Sequence, residues 1–380
     1  MNAKRHYETI VLGGGTMGTA AAWELGKRGE RALVLEQFEH VHDRGSHSGQ
    51  TRIIRHAYAE GPDYIPLVLR ADELWMELEE STGIKVFHRV GGLELAAPGR
   101  DHARLAKEAA AQHDVPLEWI DAAEVRRRWP VFNLPDDWEA GYGARSGFLD
   151  VEPALQAMGD QARISGVKIR ENEPVRSWEI DGDGVRVTTA DETYTTDRLI
   201  ITAGAWAAKM LGELGLPLEV RRKVLFWLEV GDESLFQPER MPVYISDSSL
   251  GEIYGFPVFD QPGLKIARHD GGVPADPDHL DRDVQPGEEA DVVALAQQLF
   301  SGVTGKVVSS AVCMYTVTPD ANFIVDRHPE HSNVVIGAGF SGHGFKFATA
   351  IGEYLVDLAT DDMVQPLPIL AIDRFAIGRI

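Results

Sequence analysis

Gly13, Gly15 and Gly18 stand at G-x-G-x-x-G spacing directly after the apolar run Ile10, Val11 and Leu12. Each glycine meets a need of dinucleotide binding: the first makes the turn, the second lets backbone approach a pyrophosphate, and the third lets the following helix pack on the sheet. The amides opening that helix, expected over residues 17–28, then face the anion. Glu36 ends a second apolar strand, where a carboxylate accepts hydrogen bonds from ribose hydroxyls. That favours an unphosphorylated ribose, so NAD or FAD before NADP.

Four further groups have chemical potential. Arg52 and Arg55 are three apart, so on a helical turn both guanidinium groups would leave one face. A surface ion-pair face is the commoner fate of such a pair, but Ile53, Ile54 and Ala57 surround these two, and a buried arginine needs an anion. A carboxylate substrate would serve. Lys265 lies between Leu264 and Ile266 on an expected strand, whose alternation turns it away from their face. Cys313, the only cysteine, sits in AVCMYT, and a lone cysteine is usually a small buried hydrophobe. Lys346 closes the glycine-rich stretch GAGFSGHGFKF, which also holds Gly342, His343 and Gly344.

The elements that must position these groups are legible in outline. Strand, turn, helix and strand fill residues 9–36. A helix is expected over 66–80, ended by Gly83, then two strands over 86–97 turning at Gly91-Gly92, helices over 101–113 and 122–129, and another over 150–166. The triplet Arg126, Arg127 and Arg128 reads as a solvated face. Short strands follow at 167–169, 175–180 and 185–189, the last two joined by the hairpin signal Asp181-Gly182-Asp183-Gly184. A buried strand at 199–202 returns the chain to the nucleotide domain. Strand-like runs dominate 220–315, interrupted by one helix at 288–300, and read as a mixed sheet for a substrate. Residues 334–336 then enter the second glycine-rich turn, before a closing helix at 347–358. Glycine-rich strand ends near both termini, the inserted substrate sheet and the position of Cys313 together point to a flavin rather than a nicotinamide.

At 380 residues the chain is comfortable for two domains. Its 44% hydrophobic and 25% charged residues are those of a soluble globular protein. With 37 basic against 59 acidic residues the net charge is −22, which argues against nucleic acid or an anionic membrane as partner. One cysteine excludes an internal disulfide and a Cys-rich metal site, and no metal is expected. No apolar run reaches the roughly 20 residues of a membrane span. The opening MNAKRHYE lacks the apolar core of a signal peptide, so the cytoplasm is expected.

The stretches TMGTAAAWEL, GSHSGQTRIIRHAYAEG, YGFP, LKIARH, CMYTVTPDANFIVDRHPEHSNVVI and AGFSGHGFKF resemble, in order and over essentially the whole chain, the monomeric sarcosine oxidase family, which includes N-methyltryptophan oxidase. The resemblance implies an α/β fold similar to D-amino-acid oxidase: a Rossmann-type FAD-binding domain (residues 1–88, 149–219 and 319–380) with an inserted substrate domain on a mixed β-sheet (89–148 and 220–318). It implies a monomer that oxidises a secondary amino acid with O2 to an imine and hydrogen peroxide. Sarcosine is the first substrate expected, giving glycine and formaldehyde, with N-methyltryptophan the alternative.

Residue by residue, Cys313 matches the cysteine that holds FAD covalently through a thioether. Arg55 and Lys346 match the pair that grips the substrate carboxylate, Lys265 the lysine of oxygen activation, and Arg52 an arginine beside the flavin ring. His269, Tyr254 and Tyr315 match residues that shape the substrate pocket, which Gly342 joins. The implied cofactor contacts are Gly13, Gly15, Thr16, Met17, Gly18, Glu36, Ser46, Thr51, Arg52, Cys313, Gly342, His343, Gly344 and Lys346. Two positions depart from the family's GSHHGDTR: Ser48 and Gln50 replace a histidine and an aspartate.

Overall fold

The computed structural model describes residues 5–249 and 251–375. Strand β1 (His6–Leu12) runs parallel to β2 (Ala32–Leu35) on one side and to Thr193–Ile201 on the other, with Ile10 opposite Leu33 and Leu199. Lys168–Arg170 extends this parallel set beyond β2, and His331–Ala338 extends it beyond Thr193–Ile201. Near-continuous apolar runs suit strands covered on both faces, and every residue of β2 is buried. The strands end together at Leu12, Leu35, Ile201 and Ala338 on one edge of an eight-stranded sheet. That edge is where an open α/β sheet binds its ligand.

Helix α1 (Thr16–Lys27) lies on one face between Val151–Ile164 and the closing helix Ala348–Thr360. Its alanines set that spacing. A Cβ added at Gly352 of the closing helix would come within 2.5 Å of the Ala20 backbone, so the two helices meet almost backbone to backbone.

A nine-stranded mixed sheet forms the second layer. Its spine is the antiparallel pair Glu219–Val230 and Val303–Val317, which places Lys223 opposite Cys313. Leu264–Arg268 and Gly251–Phe256 follow across the sheet, and Val243–Ser248 runs parallel to Gly92–Ala96. A small sheet of β3 (Thr51–Ile54), Phe87–His88 and Gly147–Asp150 bridges the layers.

The structure differs from the sequence expectations at several places. Thr51–Ile54 is a strand, so Arg52 and Arg55 do not share a helical face. The β-branched Thr51, Ile53 and Ile54 favour the extended chain, and Arg55 lies just past its end. The two strands flanking Gly91 do not pair with each other, because Phe87–His88 joins the small sheet while Gly92–Ala96 joins the nine-stranded one. Ile324–His328, for which no strand is expected, pairs antiparallel with His331–Ala338. The Arg126–Arg128 triplet behaves as expected: Arg127 and Arg128 pair with Glu124, Arg128 also with Glu118, and Arg126 with Asp136.

Candidate active site

The strand ends of the eight-stranded sheet open into a cleft of about 390 Å³ lined by Gly13, Gly15, Thr16, Met17, Glu36, Ser46 and Arg52 from the first part of the chain. Tyr315, Gly342, Gly344 and Phe345 close it from the last part. Gly13 takes φ +97°, and a Cβ there would press to 2.5 Å from the Thr202 carbonyl oxygen. Gly18 does not line the cleft but packs beneath it, so close to the Gly13 carbonyl that no side chain fits. A Cβ at Gly15, by contrast, would meet nothing nearer than His47 at 4.0 Å. The N-terminus of α1 follows Gly15 with no side-chain cap, leaving its first amides for an anion. The Glu36 carboxylate accepts from the amides of Gly14 at 2.7 Å and Phe38 at 2.9 Å, which fixes it at the strand end.

A second, smaller cavity of about 50 Å³ adjoins this cleft and shares Arg52, Gly342 and Phe345 with it. Arg55, Tyr254, His269, His343 and Lys346 line it. Arg55 Nη2 donates to both oxygens of Glu60 at 2.6 and 2.7 Å and Nη1 to the Ala57 carbonyl. Its buried Nε–H has no partner among the described residues. Lys346 Nζ donates to the His343 carbonyl at 2.8 Å and to the Tyr58 hydroxyl at 3.3 Å. Burial, then repulsion from Arg55, pulls the Lys346 ammonium down to about 7. The backbone carrying it is pinned by Trp75 Nε1, which donates to the Lys346 carbonyl.

His343 is built into this scaffold. Its Nδ1 stands 2.6 Å from the Tyr58 hydroxyl and its Nε2 2.9 Å from the Ala321 carbonyl, and burial lowers its pKa to about 4. The arrangement fits a neutral ring donating from Nε2 and accepting at Nδ1. Tyr254 and Tyr315 approach hydroxyl to hydroxyl at 3.4 Å, with the His269 ring 5.7 Å from that of Tyr315. Burial takes His269 down to about 3, so it is a neutral imidazole at working pH.

Lys265 and Cys313 lie just outside both linings. Lys265 is 2% exposed, and its ammonium donates to the Gly49 carbonyl and to the carbonyl and hydroxyl oxygens of Thr51. Burial and then Arg52 push its pKa well below the ordinary lysine value; three oxygen acceptors work against that. Thr51 therefore serves as a lysine ligand rather than a cleft wall. Cys313 packs with Leu225, Trp227, Ala267 and Tyr315, and its neighbours Met314 and Tyr315 line the cleft. Burial raises its thiol pKa, while Arg52, Lys223 and Lys265 oppose the rise.

The profile of the FAD dependent oxidoreductase (DAO) family matches residues 8–358. Monomeric sarcosine oxidase of Bacillus sp. (strain B-0618) is 40% identical over 98% of this chain and 97% of that relative. The chain belongs to the monomeric sarcosine oxidase family. It is an FAD-dependent amine or amino acid oxidase. N-methyl-L-tryptophan oxidase of Yersinia pestis (strain Pestoides F) is 35% identical over 98% of this chain and 99% of its own. A solved structure of a NikD Tyr258Phe mutant superposes with TM-score 0.85 at 24% identity, covering 97% of each chain, a likeness of fold. A parallel Rossmann-type sheet beside a mixed sheet is the architecture expected from the sequence.

The residues present fit the FAD of this sarcosine oxidase family. Gly15 leaves open space beside the cleft and the start of α1 is uncapped, which suits a pyrophosphate, and Glu36 is fixed at a strand end, which suits ribose hydroxyls. Ser48 and Gln50 are engaged within the protein: Ser48 donates to the Val312 carbonyl and Gln50 to the Phe259 carbonyl. Sequence reasoning missed His42, His47 and Trp206 in the cleft, and Tyr58 and Glu60 at the small cavity. Tyr58 and Glu60 stand in AYAEG directly after Arg55, where an aromatic and an acid beside a buried arginine are the available signal.

Proposed function

We propose that this chain oxidises sarcosine with O2 to glycine, formaldehyde and hydrogen peroxide, and that it does so as a monomer. The observation that supports this most is the adjacency of the two cavities, with Arg55 and Lys346 both lining the small one. The small cavity is of a size for N-methylglycine, and the indole of N-methyltryptophan would have to lie outside it, at its mouth.

Gly13, Gly15 and Glu36 would hold FAD, which would supply the two-electron oxidation of the substrate C–N bond with O2 as the final acceptor. The protein's part is binding and placement. Arg55 presents a planar fork and Lys346 a point charge to one carboxylate. The unpartnered Arg55 Nε–H is available to that carboxylate, and Glu60, now on Nη2, must share or yield. Fixing the carboxylate there turns the N-methyl group toward the wall of Arg52, Gly342 and Phe345 common to both cavities, and such positioning is a large share of catalysis. Neutral His269 and the paired Tyr254 and Tyr315 hydroxyls receive the amine without charge repulsion. Lys265 contributes a buried cation where negative charge develops on oxygen, and Cys313 is the point of covalent attachment.

A substrate panel tests the reading. Peroxide formation from sarcosine, N-methyltryptophan, pipecolate and proline should show the highest kcat/KM for sarcosine. A preference for N-methyltryptophan would replace sarcosine with the larger substrate, and a fully flavinylated protein inert on all of them would defeat the assignment.

A further inference from the structure

The small cavity changes sign between floor and mouth. Arg55 and Lys346 are almost wholly buried at its floor, whereas the side chains of Glu60 and Glu252, which also line it, are 21% and 23% exposed. Glu252 stands on Gly251–Phe256 and is held from behind. Its Oε1 lies 3.5 Å from His102 Nδ1, and His102 Nε2 lies 3.2 Å from Glu94 Oε2. Glu94 is in turn 3.7 Å from Arg55 Nη1. An acid, imidazole and acid bridge thus runs from the carboxylate-gripping arginine to the rim, and the sarcosine reaction makes no use of it. Burial raises the Glu252 carboxyl above its ordinary value, with His102 and Arg55 opposing the rise and Glu60 adding to it.

Sarcosine has only hydrogens on its α-carbon. In any larger secondary amino acid, with the carboxylate on the floor and the N-methyl group at the shared wall, the side chain is left the direction of the mouth. A docked carboxylate competes with Glu60 for Arg55, which leaves more of the Glu60 charge facing that side chain together with Glu252.

We propose that Glu252, positioned by His102 and joined by Glu60, is a specificity determinant that selects secondary amino acids whose side chain ends in a cation over those ending in a methyl group or a carboxylate. This rests on reading the cavity as the seat of a secondary amino acid's carboxylate. Selection has two parts, attraction of the cation and exclusion of the anion.

The test compares Nα-methyl-L-lysine, Nα-methyl-L-norleucine and Nα-methyl-L-glutamate on the holoenzyme, with sarcosine alongside. The lysine derivative should exceed the norleucine derivative in kcat/KM by at least about tenfold, and the glutamate derivative should fall below both. Glu252→Gln should lower the lysine to norleucine ratio at least about threefold, the remainder being the share of Glu60. A lysine to norleucine ratio at or below unity in the native holoenzyme overturns the proposal whatever the variant does, and so does a ratio unmoved by Glu252→Gln. Binding is read separately from the shift of the flavin absorption band on titration with the same three compounds. Turnover of sarcosine without charge selection removes only this inference. Failure to oxidise any amine removes the proposed function, and the absorption titration then still decides whether the mouth selects charge.

Discussion

Lys346 illustrates how burial turns a lysine into a pH-sensitive ligand. With its pKa drawn to about 7, it carries its charge below that pH and loses it above. A carboxylate binds the charged form, so affinity is full at low pH and falls as pH rises through about 7. Acetate, which has no amine to titrate, isolates the effect: its Kd should climb above neutrality, and Lys346→Met should flatten the curve. Removing one of two buried cations from an anion costs about 2–5 kcal/mol, so Lys346→Met should raise the sarcosine KM at least roughly 30-fold. Lys265→Met makes a contrasting prediction. Sarcosine should bleach the yellow colour anaerobically at near the native rate, with the colour returning slowly in air. Equal rates of return would remove Lys265 from the oxygen step.

At the scale of elements, the turn before α1 is the least tolerant part of the chain. Gly18→Ala would drive a Cβ into the Gly13 carbonyl, so the variant should purify with little or no flavin. Gly29→Ala, at φ +72° with nothing within 4 Å, meets only the left-handed penalty of about 1–2 kcal/mol. It should bind flavin normally and unfold at slightly lower denaturant. The ratio of flavin to protein absorbance distinguishes the two outcomes. This turn was also the most legible element, because its glycines report backbone needs that no other residue meets. The arginine pair was less so: spacing alone suggested a helical face, while the β-branched neighbours dictated a strand. Glu252, His102 and Glu94 could not be read as a group, since Glu252 lies far along the chain from the other two and meets them only once Gly251–Phe256 and Gly92–Ala96 have joined one sheet.

Over the whole molecule, the long strand Val303–Val317 belongs to the mixed sheet yet delivers Met314 and Tyr315 to the nucleotide cleft. A cofactor joined to Cys313 is therefore shared between the two layers and cannot dissociate. The native protein should give a yellow acid pellet and a Tm indifferent to added FAD. Cys313→Ser should give a colourless pellet and a Tm that rises with free FAD, as mass action requires of a dissociable ligand. Among the described residues no helix is long and apolar enough to cross a membrane. The charge of −22 makes the concentration of Arg52, Arg55, Lys265 and Lys346 around one place all the more pointed, because anionic ligands have to be attracted locally against the field of the rest.

The most direct measurement is the stoichiometry of sarcosine turnover by the fully flavinylated protein in air-saturated buffer. One formaldehyde and one hydrogen peroxide should appear for each O2 consumed, with Arg55→Met abolishing all three at low substrate. Full flavin with neither formaldehyde nor peroxide formed from sarcosine would contradict the assignment.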